Sequence, residues 1–195
     1  MIQENRVAAG IVVALLLAAG NASAAQQPRD SDGDGIWDAH EEILGTDPNA
    51  PEQFHPVSAD GLESDARRRD KTYDATKDFT AVEFCHVAEN RYLWRATFAA
   101  EPRLEDTVFH LYVDADADPE TGRKASEGST INGTDYMVTV AAGRGYSGHY
   151  SAEGEHSSGP RVTYAVQGKT LYVCADLELG RDEKGVRYAL YVLCH

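Results

Sequence analysis

The feature that most constrains this chain is the spacing of its acidic residues between Asp30 and Glu41. Counted from Asp30, carboxylates fall at positions 1, 3, 5, 9 and 12, and Gly35 occupies position 6. Calcium takes about six to eight oxygens at roughly 2.3–2.6 Å, so a loop this short must turn its carboxylates inward. Glycine permits the sharp turn at position 6. The spacing therefore predicts a calcium loop, with a solvated acidic turn as the alternative, since Asp and Gly favour turns on their own.

The predicted calcium ligands come from six positions of this loop. The three aspartates at positions 1, 3 and 5 are expected to give one oxygen each. The main-chain carbonyl at position 7 is expected to give another, and the aspartate at position 9 binds directly or through water. The glutamate at position 12 closes the shell with both oxygens. In chain order, these ligands are Asp30, Asp32, Asp34, Ile36, Asp38 and Glu41.

A short exit helix is predicted over residues 39–44, and Gly45 is expected to end it. No apolar helical pattern precedes Asp30, so the entering helix of a complete EF-hand is missing. The loop, the exit helix and the following Gly45-Thr46-Asp47-Pro48 resemble the thrombospondin type 3-like and dockerin-like calcium repeats of bacterial secreted proteins. Residues 30–48 carry the resemblance, which implies Ca²⁺ as the bound ion. Because no second helix is present to open, calcium is expected to act structurally and not as a switch.

Residues 1–24 have the three parts of a secretory signal. Arg6 supplies positive charge, residues 7–20 are apolar, and Ala22-Ser23-Ala24 offers a cleavage site. The apolar run of about 14 residues is shorter than the roughly 20 that span a bilayer. We therefore expect a secreted protein, located in the periplasm or at the cell surface, with no membrane insertion after signal cleavage.

Length and charge limit the remaining function classes. The 195 residues suffice for one domain with additional segments. A formal net charge of −14 argues against nucleic acid and anionic membranes as partners, because both repel it. The same charge suits cation binding.

The sequence patterns divide residues 25–195 into three segments. Residues 25–49 form the calcium loop with its exit helix, and the polar residues 50–77 are predicted to be a linker. Residues 78–195 contain about eight short strand patterns, with hairpin signals at residues 88–90 and 167–169. This predicts a mainly β fold, an antiparallel β-sandwich preceded by a short calcium loop–helix motif. The chain stops directly after an apolar strand, so a domain truncated at its C-terminus is also considered.

One part of the β domain resembles a known family. The run Val113-Asp114-Ala115-Asp116, followed by Thr121-Gly122 and Gly133-Thr134-Asp135-Tyr136, is similar to family 9-like carbohydrate-binding modules and DOMON-like β-sandwiches. The resemblance implies a jelly-roll-like sandwich with sugar, haem or calcium as ligand.

Four aspartates in this region form a second, weaker candidate cation site. Carboxylates that alternate at a strand end converge on a cation if the strand runs into a loop. A solvated turn that protects a sheet edge explains the same residues, and both interpretations stay open. The residues are Asp114, Asp116, Asp118 and Asp135.

No nucleophile elbow, P-loop or cysteine pair at metal spacing is present, so no enzymatic activity is expected. The ten tyrosines offer either core packing or rings on which sugars stack. We therefore expect a non-catalytic module that binds a neutral polysaccharide. The alternatives are a structural or adhesive module with a cell-surface partner, and the N-terminal part of a larger secreted enzyme. Pairing among Cys85, Cys174 and Cys194 is left open, since three cysteines allow at most one internal disulfide.

Overall fold

The computed structural model describes residues 28–57, 62–63, 74–125, 132–182, 185–187 and 189–194; the predicted signal peptide lies outside them. The described residues contain no helix of the length and apolar character needed to cross a bilayer. They form one short helix, α1 (Asp38–Leu44), and a series of strands. In chain order the strands are β1 (His55–Pro56), β2 (Leu62–Glu63), β3 (Phe79–Ala88), β4 (Arg91–Phe98), β5 (Val108–Asp114), β6 (Tyr136–Ala141), β7 (Arg144–Tyr150), β8 (His156–Ser158), β9 (Val162–Gln167), β10 (Thr170–Asp176), β11 (Gly180–Asp182), β12 (Gly185–Arg187) and β13 (Ala189–Cys194).

Most of these strands belong to two sheets. The five-stranded sheet has the order β1-β3-β4-β10-β9, and all of its pairs are antiparallel. The six-stranded sheet has the order β2-β13-β5-β6-β7-β8, antiparallel except where β2 runs parallel to β13. Strands β11 and β12 pair with each other. The prediction of a mainly β fold with an antiparallel sandwich after a short loop–helix motif is confirmed.

The main core lies between the two sheets and follows from the alternation of side chains along each strand. Trp94 and Phe98 of β4 meet Phe109 and Leu111 of β5, and all four side chains are almost fully buried. Leu93, which β4 directs to the opposite face, is also completely buried. This strand is therefore covered on both faces, so a third layer must lie outside the five-stranded sheet.

Both predicted hairpins are confirmed: β3 pairs with β4 and β9 with β10 across two-residue turns. The segment predicted to be a linker, residues 50–77, contributes β1 and β2. Strands of two residues carry no side-chain periodicity, so the sequence pattern did not reveal them. Cys85 and Cys174 are buried free thiols.

Candidate metal centre

The third layer is formed by the acidic loop and α1, which pack on the outer face of the five-stranded sheet. Ile36 in the loop and Leu44 at the end of the helix are 0% and 1% exposed. They pack in a separate hydrophobic cluster with Leu93, Tyr172 and Cys174 of the sheet. We call this group the outer cluster. Because the outer cluster contains side chains from the loop and from two central strands, the loop packs directly against the sheet.

The end of α1 is joined to the sheet by polar contacts. Gly45 ends the helix in the left-handed conformation, with φ of 78°, and its N–H donates to the carbonyl of Glu41 at 2.7 Å. The carbonyl of Gly45 accepts a hydrogen bond of 3.0 Å from Arg91 Nη1. Arg91 also donates from Nε to Asp176 at 2.8 Å, which holds the pKa of Asp176 below its ordinary value. The helix end is thereby connected to β4 and β10.

The loop turns sharply at two glycines, of which Gly35 was expected from the spacing. Gly33 and Gly35 have φ values of 80° and 95°, a region that residues with a Cβ rarely occupy. Their N–H groups donate to the two carboxylate oxygens of Asp30, at 2.8 and 3.1 Å. The N–H of Ile36 donates to Asp34 at 2.8 Å. These bonds hold the first and third aspartates of the loop in place from the backbone.

Four of the predicted ligand residues are brought together, and a fifth carboxylate joins them. Oxygens of Asp30, Asp32 and Asp34 lie within 4.8 Å of one another, as do oxygens of Asp32, Glu41 and Glu52. Asp32 belongs to both groups. A calcium–oxygen distance of roughly 2.4 Å allows two ligand oxygens to be at most about 4.8 Å apart. Each group of three therefore fits within the shell of one calcium ion, and Asp32 is shared by the two groups.

The two other predicted ligands are placed differently. Asp38 accepts hydrogen bonds from the N–H of Ser31 at 2.8 Å and the hydroxyl of Ser31 at 2.7 Å, and it pairs with Arg29 at 3.2 Å. The Ser31 hydroxyl bond lowers the pKa of Asp38. Asp38 is absent from both carboxylate groups. Ile36 lies in the loop with its side chain buried in the outer cluster, and binding through its carbonyl stays a prediction.

Glu52 was missed because no motif marks it. It follows the loop by eleven residues and belongs to the segment predicted to be a linker. Its N–H donates to Asp34 Oδ2 at 3.1 Å, which brings this segment against the loop. A lone glutamate after proline carries no signal at the level of sequence.

The electrostatics of the cluster favour a bound cation. Glu41 is completely buried, and within the described part of the chain neither of its carboxylate oxygens has a hydrogen-bond partner. The same is true of the buried atoms Asp32 Oδ2 and Glu52 Oε2. Burial and the charges of the neighbouring aspartates raise the pKa of Glu41 to about 7. Burial also raises the pKa of Glu52. Among the described ion pairs, no lysine or arginine contacts these residues. Buried carboxylates without a counter-charge are costly, and a hard cation with oxygen ligands removes that cost.

The second acidic group forms only in part. Oxygens of Asp114, Asp116 and Asp135 lie within 4.8 Å of one another. Asp118 does not join them; its carboxylate accepts from the N–H of Glu120 at 3.0 Å. Backbone N–H groups donate to all three clustered aspartates, at 2.8 to 3.2 Å. Burial raises the pKa of Asp114 to about 6. These bonds are those of a hydrogen-bonded turn, and cation binding here stays a prediction.

Comparison with known proteins identifies one segment of the chain. The family model of the bacterial TSP3 repeat matches residues 30–51. TSP3 repeats bind calcium, so the match supports the interpretation of the loop. No curated protein and no solved structure matches the chain. The resemblance of residues 113–136 to carbohydrate-binding and DOMON-like domains therefore stays a prediction.

Proposed function

We propose that this protein binds calcium through the loop from Asp30 to Glu41 and uses the ion to hold a structural repeat against a β-sandwich. The observation that carries the proposal is the completely buried carboxylate of Glu41, which has no protein partner. The loop aspartates within coordination distance and the TSP3 match support it. The bound ion would supply positive charge to a group of carboxylates for which the described residues provide no ion pair.

Terbium luminescence tests this proposal, because terbium binds calcium sites and Trp37 lies inside the loop. Excitation of the indole should produce terbium emission that calcium displaces. The double variant Asp30→Ala/Asp34→Ala should lose the emission, and calorimetry should show the same loss of calcium binding.

A matched control removes the same charge elsewhere. Glu101 and Glu105 are exposed and lie outside the loop. The variant Glu101→Ala/Glu105→Ala should keep the wild-type emission. Emission that persists in the aspartate double variant would refute the assignment of the site.

We further propose that the protein acts outside the cytoplasm, after removal of residues 1–24. The pattern of the signal sequence supports this, and calcium outside the cell fills sites with dissociation constants of about 10⁻⁴–10⁻³ M. Expression of the full chain in a bacterial host, followed by fractionation and N-terminal sequencing, tests the proposal. The mature protein should be exported and begin at Ala25. Uncleaved protein in the cytoplasm would contradict it.

For the β-sandwich we propose non-catalytic binding of a neutral polysaccharide. Tyr146 is 48% exposed, and the alternation along β7 puts Tyr150 on the same face. Tyr150 also lines a cleft of about 410 Å³ together with the carboxylates of Asp116, Asp135 and Glu178. Tyrosine rings stack on sugars, and carboxylates accept hydrogen bonds from sugar hydroxyls. The negative charge of the chain disfavours anionic polysaccharides.

Affinity electrophoresis against neutral and acidic polysaccharides, with release of reducing ends measured in parallel, tests this role. Neutral polysaccharides should retard the protein without being cleaved. Tyr146→Ala and Tyr150→Ala should reduce the retardation, whereas Ile43→Ala, an exposed change on the calcium repeat, should not. Cleavage would favour an enzyme or part of one, and the absence of retardation would favour a structural or adhesive module.

A further inference from the structure

A carboxylate from outside the calcium repeat reaches the predicted ion site. Glu52 is the first residue after the segment that matches the repeat family. One of its oxygens lies within 4.8 Å of oxygens of Asp32 and Glu41. Its Oε2 is buried and has no hydrogen-bond partner. Three carboxylates are thus close together, and among the described residues none donates a hydrogen bond to Glu52 Oε2.

The backbone around Glu52 is held in this position from both sides. On one side, the Glu52 N–H donates to Asp34 Oδ2 at 3.1 Å. On the other side, Phe54 lies beneath the guanidinium of Arg95, with 4.0 Å between Cζ and the ring centroid. Arg95 is fixed in turn by Glu83, at 2.8 Å. The backbone of Glu52 is thus bound to the loop, and Phe54, two residues later, is bound to the sheet.

We propose that Glu52 is a ligand of the same calcium ion that the loop binds, so that the ion joins the repeat to the chain entering the five-stranded sheet. This inference rests on the calcium binding proposed above. The completely buried Glu41, with both oxygens unpaired, indicates a ligand at this position independently of Glu52. Asp38 is engaged by Ser31 and Arg29, and Glu52 supplies a further carboxylate that the loop itself lacks.

The consequence is a connection between calcium binding and the sheet edge. Three residues after Glu52, His55 begins β1, which pairs with β3 at the edge of the five-stranded sheet. An ion held by both the loop and Glu52 adds a link between two segments of chain that already meet at the Glu52–Asp34 contact and through apolar packing of Phe54. Calcium then stabilises the attachment of the edge strand as well as the loop.

The test compares three glutamate-to-glutamine variants of the whole protein. Glu52→Gln removes the proposed ligand, Glu41→Gln removes the loop ligand, and Glu42→Gln removes an equal charge from an exposed neighbour outside the cluster. Calcium affinity is measured by calorimetry. Terbium lifetimes in H₂O and D₂O count the water molecules bound to the ion, because water hydroxyls quench the emission.

Glu52→Gln should weaken calcium binding by at least about tenfold, since loss of a partner that only orients a ligand already costs about tenfold to a hundredfold. It should also add about one water molecule to bound terbium, since water replaces the lost oxygen. Glu42→Gln should change the affinity by less than about twofold, because its exposed charge is screened. In chelator, Glu52→Gln should unfold at the wild-type temperature or above it, since a carboxylate that the charges of Glu41 and Asp32 disfavour has been removed.

The outcomes separate the two proposals. If wild type binds calcium and Glu41→Gln does not, while Glu52→Gln behaves like Glu42→Gln and adds no water, the role of Glu52 is refuted and calcium binding stands. If the wild-type protein binds no calcium, both proposals fail. Weaker binding by Glu52→Gln with an unchanged water count, or with a lower unfolding temperature in chelator, would also overturn its role as a ligand.

Discussion

The side-chain amide of Gln167 donates a hydrogen bond of 2.8 Å to the carbonyl of Gly35, across 132 residues of sequence. The same amide accepts from the N–H of Trp37 at 3.2 Å and lies 3.3 Å from Nδ1 of His40. Gln167 is the last residue of β9. One side chain of the sheet therefore holds the middle of the loop and the start of its helix, which makes the loop part of the sandwich.

Replacing Gln167 by Ala should lower the free energy of unfolding by about 0.5–1.5 kcal/mol, because the exposed carbonyl of Gly35 and the part-buried N–H of Trp37 lose their partner. It should also weaken calcium binding, since the loop backbone is held less firmly. Urea denaturation with calcium present measures the first effect and calorimetry the second. Lys169→Ala, an exposed change in the adjacent turn, is the control, and equal effects of the two variants would contradict the role of Gln167.

Two neighbouring residues of α1 test the outer cluster. Leu44 is 1% exposed and packs against the sheet, whereas Ile43 is 54% exposed. Leu44→Ala should destabilise the protein by about 2–4 kcal/mol through the cavity it leaves. Ile43→Ala should change the free energy of unfolding by no more than about 0.5 kcal/mol. Similar losses, measured by denaturation in saturating calcium, would show that the helix does not pack as described.

Removal of calcium should destabilise the protein without abolishing its strands. At a free calcium concentration one hundred times the dissociation constant, the ion stabilises the native state by about 2.7 kcal/mol. EDTA should therefore lower the melting temperature while the strand signal in circular dichroism remains. Hydrogen exchange should accelerate most in residues 35–45 and in β9, which α1 contacts, and least in β6 of the opposite sheet. Equal acceleration in both sheets would contradict a local effect.

The reactivity of the Cys174 thiol should show whether the loop and α1 cover the five-stranded sheet. It lies in the outer cluster, and burial raises the pKa of its thiol to about 12. The reactive thiolate is therefore scarce at pH 8, and modification by a maleimide should be slow in calcium. Chelation should accelerate it as the repeat loosens, and Leu44→Ala should do so even with calcium present. Peptide mapping distinguishes Cys174 from the other cysteines. Modification at the same rate with and without calcium would argue that the repeat stays in place without its ion.

The parts of the molecule predicted from sequence are those in which the responsible residues are close together in the chain. Asp30, Asp32, Asp34 and Glu41 lie within twelve positions, so their spacing alone indicates how they converge. The two hairpins likewise depend on a short turn between two alternating patterns. Asp38 shows the limit of this reasoning. The motif predicts that this carboxylate binds calcium, but it does not predict that Ser31 and Arg29 contact the same carboxylate.

Only the tertiary structure decided where the acidic loop lies and what it packs against. The alternation in β4 shows that Leu93 faces away from the core but not that a loop covers it, since burial on a second face requires a third layer. Glu52 and Gln167 have no spacing that relates them to the loop; they reach it because the chain folds back in space. The sequence by itself predicted an acidic loop spaced for calcium and a β-sandwich. Packing of apolar side chains between them, whose partners are far apart in the chain, determined that the two form one structure.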